Sequence, residues 1–424
     1  MQFSRFGTKL SSDAGIISLM DDLGEALRVN PDMIFMGGGN PARIPAMELA
    51  FEEALAKTLD DAQLRHQLLG IYQPPQGDPE VLDAVAKLLS REYGWPLTRA
   101  NVALANGSQS AFFVLFNLFA GEFADGQHKH IQLPLTPEYL GYSDLGISAD
   151  FFHSAKPEIE ILPDHFFKYH VDFQQLHITE ATGALCISRP TNPTGNVISD
   201  DELAQLDQLA QQHKVPLIVD GAYGTPFPNI LFVDGQPHWN ENTILVLSLS
   251  KLGLPGARTG IVIANPTVID AFTKANTILS LACGNFGPAL ARQLLQDEQI
   301  LHLSRTVVAP FYQARMEHAV QVFKEALAGL PYRIHKPEGA IFLWLWFEGL
   351  PISSEALYQR LKQRGVLVVS GHHFFPGLDG HWQHSQECIR VTYCQSPETV
   401  EQGASIIADE IRTIYNAQLP RRSD

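Results

Sequence analysis

The residues best suited to chemistry stand together in Ser248-Leu249-Ser250-Lys251-Leu252-Gly253-Leu254-Pro255-Gly256-Ala257-Arg258-Thr259-Gly260. An apolar run, residues 243–247, leads directly into two hydroxyls and an amine, and an arginine follows seven residues after the lysine. If the run is a strand, these groups gather at its carboxyl end. A planar guanidinium binds two phosphate oxygens at once, so Arg258 with Ser248 and Ser250 suits a phosphate dianion. A lysine whose pKa is lowered by burial or by nearby cations condenses with an aldehyde. A solvated loop lysine is the competing reading and the usual fate of the residue.

Such a cluster needs elements to hold it. Residues 102–105, 131–133, 184–188, 217–219, 244–248 and 259–264 read as short strands, and 201–213 and 266–280 carry helical periodicity between them. Strand and helix in alternation predict an α/β domain with a mostly parallel, buried sheet, whose ligands collect at the carboxyl ends of the strands. After Gly287 the pattern changes. Residues 288–330 read as long helix interrupted near Pro310, followed by apolar 340–346, helical 353–364, and strands at 366–369 and 388–393. This predicts a smaller α+β domain completed by the N-terminal segment: 46–300 forms the large domain, and 1–45 with 301–424 the small one.

Composition narrows the function classes. The 424 residues are 45% hydrophobic and 18% charged, ordinary for a soluble globular protein. A formal net charge of −16 argues against a nucleic-acid or anionic-membrane surface. Four scattered cysteines fit a reducing compartment rather than a disulfide framework. The longest apolar run, 111–120, is interrupted by Asn117 and reads as a buried helix; no run has the length of a membrane span, and residues 1–10 carry no signal-peptide pattern. A cytoplasmic protein is expected. Among sixteen histidines, the pair His372-His373 invites a metal reading. No His-x-x-x-His pair has a helical carboxylate partner, so no metal is expected, and the Gly-bounded segment 371–377 is expected to cover the active site.

Ser-x-Ser-Lys followed by Gly-x-Arg-x-Gly resembles the lysine motif of class I/II aminotransferases of pyridoxal 5′-phosphate (PLP) fold type I. The resemblance extends over most of the chain. It implies a large domain with a mostly parallel seven-stranded sheet flanked by helices, plus the smaller α+β domain, with PLP held by Lys251 as a Schiff base. Other stations match one by one. Asp220, three residues before Tyr223, corresponds to the carboxylate that pairs with the pyridine nitrogen, and Tyr223 to a donor for the cofactor's phenolic oxygen; an Asp-Gly turn reads the same way. Asn192 in Asn192-Pro193-Thr194-Gly195 corresponds to the residue between that oxygen and the substrate carboxylate, and is also an ordinary Asn-Pro turn.

Gly107, Ser108 and Gln109 follow strand 102–105, where Ser108 is expected to cap a helix and the three residues to cradle the phosphate. Tyr139 corresponds to the ring stacked on the pyridine, with Tyr142 as the alternative and a core tyrosine as the competing reading. Tyr72 corresponds to a residue reaching the neighbouring subunit's phosphate, which implies a homodimer with shared active sites. Gly39, in the triple glycine before Asn40-Pro41, corresponds to backbone near the substrate, although a flexible loop fits the same residues. Arg390, between apolar neighbours in a strand, corresponds to the fork for the substrate's α-carboxylate; an exposed strand arginine is the competing reading. Residues 280–287 contain no arginine or lysine, so a neutral amino-acid side chain is expected. The partners expected are amino acids and 2-oxo acids. A lyase or decarboxylase of the same fold would use the same cofactor stations.

Overall fold

The computed structural model describes residues 2–11 and 15–417. Its large sheet runs in the order Val102–Ala105, Gly260–Ile263, Thr243–Ser248, Leu217–Asp220, Thr182–Ser188 and His128–Leu133, with Phe152–Ser154 and Gly121–Glu122 sharing the far side of the last. All pairings are parallel except those made by Gly260–Ile263 and by the two-residue Gly121–Glu122. Seven strands form the mostly parallel sheet, and Gly121–Glu122 adds an eighth, short hairpin arm. Central strands are buried throughout because both faces are covered. Alternate residues serve different cores. Cys186, Ile218 and Val246 pack with Phe112, Phe116 and Phe272 of the helices Ser108–Phe119 and Pro266–Ser280. Ile187, Val219 and Leu247 face the larger core that continues into the second sheet.

Local signals set the helix boundaries. Asp200–His213 starts at a capping box in which Ser199 and Glu202 satisfy each other's backbone N–H groups. Pro266–Ser280 starts at Asn265, whose side chain accepts from the Val268 N–H, with proline at the first helical position. The segment 288–330 divides into Phe286–Gln296, Gln299–Leu303, a π-turn at Ser304–Val308 and Ala309–Ala326.

The second sheet has six strands: Val369–Ser370, Cys388–Thr392, Phe342–Phe347, Tyr332–His335, Phe166–His170 and Glu158–Ile161. The N-terminal strand Ile34–Phe35 pairs with Val366–Leu367, so the chain's beginning is tied to its last third. The hairpin Glu158–His170 lies within 46–300 yet hydrogen-bonds into this second sheet, through Phe166–His170 beside Tyr332–His335. Lys168 anchors it there. Buried, its Nζ donates to Asn196 Oδ1 and the Val197 carbonyl at 3.0 Å each and pairs with Glu338. Four free cysteines, three of them buried, agree with the expected thiols. No helix among the described residues is long and apolar enough to cross a membrane.

Lys168→Met strips Glu338 of its buried ion-pair partner and leaves it the Val197 N–H, at 3.1 Å on the same oxygen, and the half-exposed Lys336, at 3.0 Å on the other. Removing one member of a buried ion pair strands the other charge. The substitution is expected to lower unfolding free energy by about 3 kcal/mol, read as a shifted urea midpoint at unchanged slope.

Candidate active site

Three neighbouring parallel strands run apolar through residues 184–187, 217–219 and 244–247 and then present Ser188, Asp220 and Ser248. The register sets Ser188 beside Asp220 and Asp220 beside Val246. Lys251 follows Ser248 by three residues, and the start of helix Ser108–Phe119 comes up from the adjoining edge. These groups line a cavity of about 550 Å³, closed on its other side by Gly37–Gly39, helix Gly15–Val29 and Arg390.

Lys251 is half-buried, with its Nζ donating to the Gly39 carbonyl at 2.5 Å and lying 5.3 Å from the Tyr223 ring centre. Burial pulls its pKa down to about 8; Arg390 and Arg258 push the same way, against Cys394 and Asp220. Roughly a tenth of the amine is then neutral at pH 7, far more than for an ordinary lysine, which brings it toward the state a nucleophile or base requires.

Asp220 Oδ2 accepts from the Tyr142 hydroxyl at 2.7 Å and Oδ1 from the Ala222 N–H at 2.9 Å. Burial raises its pKa, and these two donors oppose the shift. Behind it the chain of polar groups continues. The Tyr142 oxygen lies 3.3 Å from Ser188 Oγ, which donates to Glu138 Oε2 at 2.6 Å, while the Ser188 N–H donates to Glu138 Oε1 at 2.8 Å. Glu138 is fully buried, and burial, reinforced by the Asp220 charge, pushes its pKa up to about 8 against the Ser188 hydrogen bonds.

The two tyrosines separate by position. Tyr139 lines the cavity, whereas Tyr142 is wholly buried beneath it, its ring edge-on to Tyr139 at 5.4 Å. Gly141 permits this: a Cβ there would stand 2.4 Å from the Tyr139 ring.

At the anion end the cap differs from expectation. The N-cap is Gly107, with φ 88°, and Ser108 is the first helical residue; no side chain caps the helix. The first N–H groups are thus left for a ligand, and the helix dipole favours an anion there. A Cβ on Gly107 would lie 2.3 Å from Arg258 Nη2, so the guanidinium sits close against this glycine, whose φ of 88° itself favours glycine. Gly107 thereby shapes the cavity from behind. Arg258 is exposed and makes no ion pair among the described residues. Ser108, Ser248 and Ser250 line the same end. Gln109 also reaches the wall, but its Nε2 donates to the Gly141 carbonyl at 3.0 Å and pins the helix to the Tyr139 loop.

Arg390 enters from the second sheet. Its Nη1 donates to Asn192 Oδ1 and its Nη2 to the Gly37 carbonyl, both at 2.8 Å, and Nε is buried without a partner. The guanidinium carbon lies 4.0 Å from the Phe342 ring centre and 5.1 Å from that of Phe374. Burial lowers its pKa to about 10, which keeps it charged. An orphaned guanidinium N–H beside a cavity calls for an anionic ligand.

Tyr72 is not brought into this cavity. It is 83% exposed and borders a separate surface depression with Leu68–Gly70, Ile71 and residues 280–286. Segment 280–287 likewise stays off the cavity wall. The apolar wall comes instead from Met20, Leu23, Leu27, Phe35 and Val369, which sequence reasoning did not single out because helix Gly15–Val29 carries no chemistry-bearing motif. Glu138, Ser188 and Tyr142 were also missed as a unit. A glutamate inside the largely apolar 133–140 was the available signal.

An uncapped helix start with a free guanidinium, a lysine of lowered pKa, a buried carboxylate and an accessible aromatic ring are the groups a phosphorylated pyridine aldehyde requires. With a mostly parallel sheet covered on both faces, they define a PLP enzyme of fold type I. Similarity to known proteins is specific. The model of the family "Aminotransferase class I and II" matches residues 37–145 and 147–407. The chain is 52% identical to the valine–pyruvate aminotransferase of Escherichia coli K12 over 98% of its own length and 99% of that protein's. It matches the crystal structure of valine–pyruvate aminotransferase from Salmonella typhimurium LT2 with 50% identity and a TM-score of 0.88, over 95% of this chain and 100% of that one. A crystal structure from Psychrobacter arcticum 273-4 matches with 45% identity and a TM-score of 0.95, over 99% and 100%. The chain belongs to the class I and II aminotransferases, a PLP-dependent family.

Glu138 supplies a pH test. Folded, it keeps its proton to about pH 8; unfolded, it loses it near pH 4.3, roughly the ordinary glutamate value. The folded state binds more protons across that window, so this contribution to stability falls as pH rises through it. Glu138→Gln cannot ionise. Relative to wild type, it should gain on the order of 3 kcal/mol between pH 5 and pH 8, measured by urea denaturation at both.

Proposed function

We propose that this enzyme moves the amino group of valine to pyruvate, giving 2-oxoisovalerate and alanine by a ping-pong mechanism. The observation that carries this reading is the cavity itself, where a buried arginine with a spare N–H stands opposite an uncharged aliphatic wall. The names of the two valine–pyruvate relatives agree with it.

Bound PLP supplies the aldehyde that condenses with amines and the protonated ring that takes up the electron pair left when the α-proton departs. The protein's residues supply the rest. Lys251 would hold the cofactor's aldehyde, and its amine, once free, would take the proton from the substrate's Cα and later return one. Asp220 would hold the ring nitrogen's proton, with the Tyr142 hydroxyl keeping its carboxylate in place. Tyr139 would cover the ring, and Tyr223 would donate to the phenolic oxygen. Gly107, Ser108, Gln109, Ser248, Ser250 and Arg258 shape and fill the phosphate end. Arg390 forks onto the α-carboxylate; because Asn192 spends Oδ1 on Arg390, its Nδ2 is available to the phenolic oxygen. Gly39 bounds the substrate space. Met20, Leu23, Leu27, Phe35 and Val369 receive the substrate side chain, and such a pocket discriminates only modestly between neighbours one methylene apart.

The reading includes a homodimer. Leu69, Ile71, Tyr72, Leu281 and Phe286 are exposed apolar residues around one depression, an arrangement that marks a contact surface. Asn285 Nδ2 braces it by donating to the carbonyls of Gln67, Leu68 and Ile71. In this reading Tyr72, at the edge of that depression, reaches a partner's phosphate. The domain division at 46–300, a cytoplasmic location and a role in amino-acid biosynthesis belong to the same reading.

Incubation with valine and pyruvate should yield alanine, with parallel double-reciprocal lines. Ammonia without alanine would instead identify a lyase. Lys251→Ala should abolish the borohydride-sensitive visible absorbance of the holoenzyme as well as turnover. Arg390→Ala should lower kcat/KM by roughly a hundredfold, mainly through KM, since losing a charged hydrogen bond to a carboxylate costs about 3 kcal/mol. Ile71→Asp should shift the sedimenting species from dimer to monomer and weaken PLP binding; an unchanged dimer would move the interface elsewhere.

A further inference from the structure

Away from the cavity, two adjacent imidazoles meet a carboxylate. His372 and His373 lie in the short turn Gly371–Phe374 after the strand Val369–Ser370, and Glu355 stands in the first turn of helix Ser354–Gln363. One ligand atom from each of the three lies within 4.8 Å of the other two, and all three residues are half-buried. Sequence spacing conceals the group, because its carboxylate comes from a different element, not from the histidines' own.

The surroundings fix the donors. Ser370 Oγ donates to Ser354 Oγ at 2.8 Å, which commits its proton, and lies 2.7 Å from His372 Nδ1. Nδ1 then carries the hydrogen and donates, leaving the Nε2 lone pair without a hydrogen-bond partner among the described residues; a ligating histidine is commonly held through its other nitrogen in this way. Gln359 Nε2 donates to Glu355 Oε1 at 2.8 Å and orients the carboxylate, with Oε2 left over. Neither nitrogen of His373 has a hydrogen-bond partner among the described residues. Burial lowers the pKa of both imidazoles, that of His373 to about 4 with His372 adding to the shift, so both rings are neutral at pH 7.

We propose that Glu355, His372 and His373 form a site for a divalent transition metal such as zinc, with two imidazoles and one carboxylate as ligands and the remaining position for water. The site would stiffen a turn that bears on the cavity. Phe374 closes that turn; its carbonyl accepts the Glu138 N–H at 2.8 Å, and its ring stands against Arg390. A bound ion clamps this turn to helix Ser354–Gln363.

Zinc is titrated into PLP-loaded, chelator-treated enzyme by calorimetry. Wild type should bind one zinc per chain with micromolar or tighter Kd and show a higher Tm with zinc. Glu355→Gln and His373→Gln should each weaken binding roughly tenfold or more while keeping the apo Tm and the PLP spectrum, and Ser370→Ala should weaken it less. Absence of saturable binding in wild type, or binding unaltered in both ligand variants, overturns the proposal. None of these outcomes depends on which amino acid the enzyme uses.

Discussion

A carboxylate at the end of a buried strand is costly unless donors meet it, and Asp220 shows how widely that requirement reaches. Its backbone position follows from the parallel pairing of Leu217–Asp220 with both neighbours. Its charge is supported by the Tyr142 hydroxyl and the Ala222 N–H. Tyr142 must in turn lie flat in the core, which the packing of Phe112 and Phe116 around it provides. Behind it, Ser188 and Glu138 continue the chain of polar contacts into fully buried ground. One strand over, Lys251 senses the same negative charge while burial and two arginines depress its pKa. The amine's reactivity and the carboxylate's charge are thus products of one placement.

The cavity exists because two sheets approach each other there. The large sheet contributes strand ends, hydroxyls and the anion cradle; the second sheet contributes Arg390, whose strand pairs with Phe342–Phe347 and with Val369. Segment 37–39 lies between them. Gly37 offers its carbonyl to Arg390 and Gly39 offers its own to Lys251, so backbone atoms link the two charged groups. A Cβ on Gly37 would come within 3.0 Å of the Val368 carbonyl oxygen, which explains the close backbone at that point. Helix Gly15–Val29 then covers the gap with aliphatic side chains and gives the pocket its uncharged wall.

Several elements were legible because their signals are local. An apolar run ending in a serine or aspartate is readable as a strand end wherever it lies, and Ser248, Lys251, Arg258 and Asp220 announced themselves in that way. The helix Pro266–Ser280 has the bounds its periodicity predicted, helped by Asn265 and Pro266. Weak patterns were missed. Glu158–Ile161 is largely exposed and alternates poorly, and its partner Phe166–His170 joins a sheet made mostly of residues more than 160 positions later. The helix cap is Gly107 rather than Ser108, and the close approach of Arg258 to Gly107 joins segments distant in sequence.

The chain's order of residues was enough to specify the kinds of groups present and the cofactor they serve, since an amine, a guanidinium and a strand-end carboxylate are local properties. It favoured Tyr139 over Tyr142 for the cavity only by resemblance, and it could not place residues 280–286 at a separate surface depression rather than on this cavity's wall. Nor could it bring Glu355 to His372 and His373, or Glu138 to Ser188. Those outcomes arise from burial and from contacts between distant segments, and it is burial that moves pKa values and contact that shapes a pocket wall. Only the folded chain brings either about.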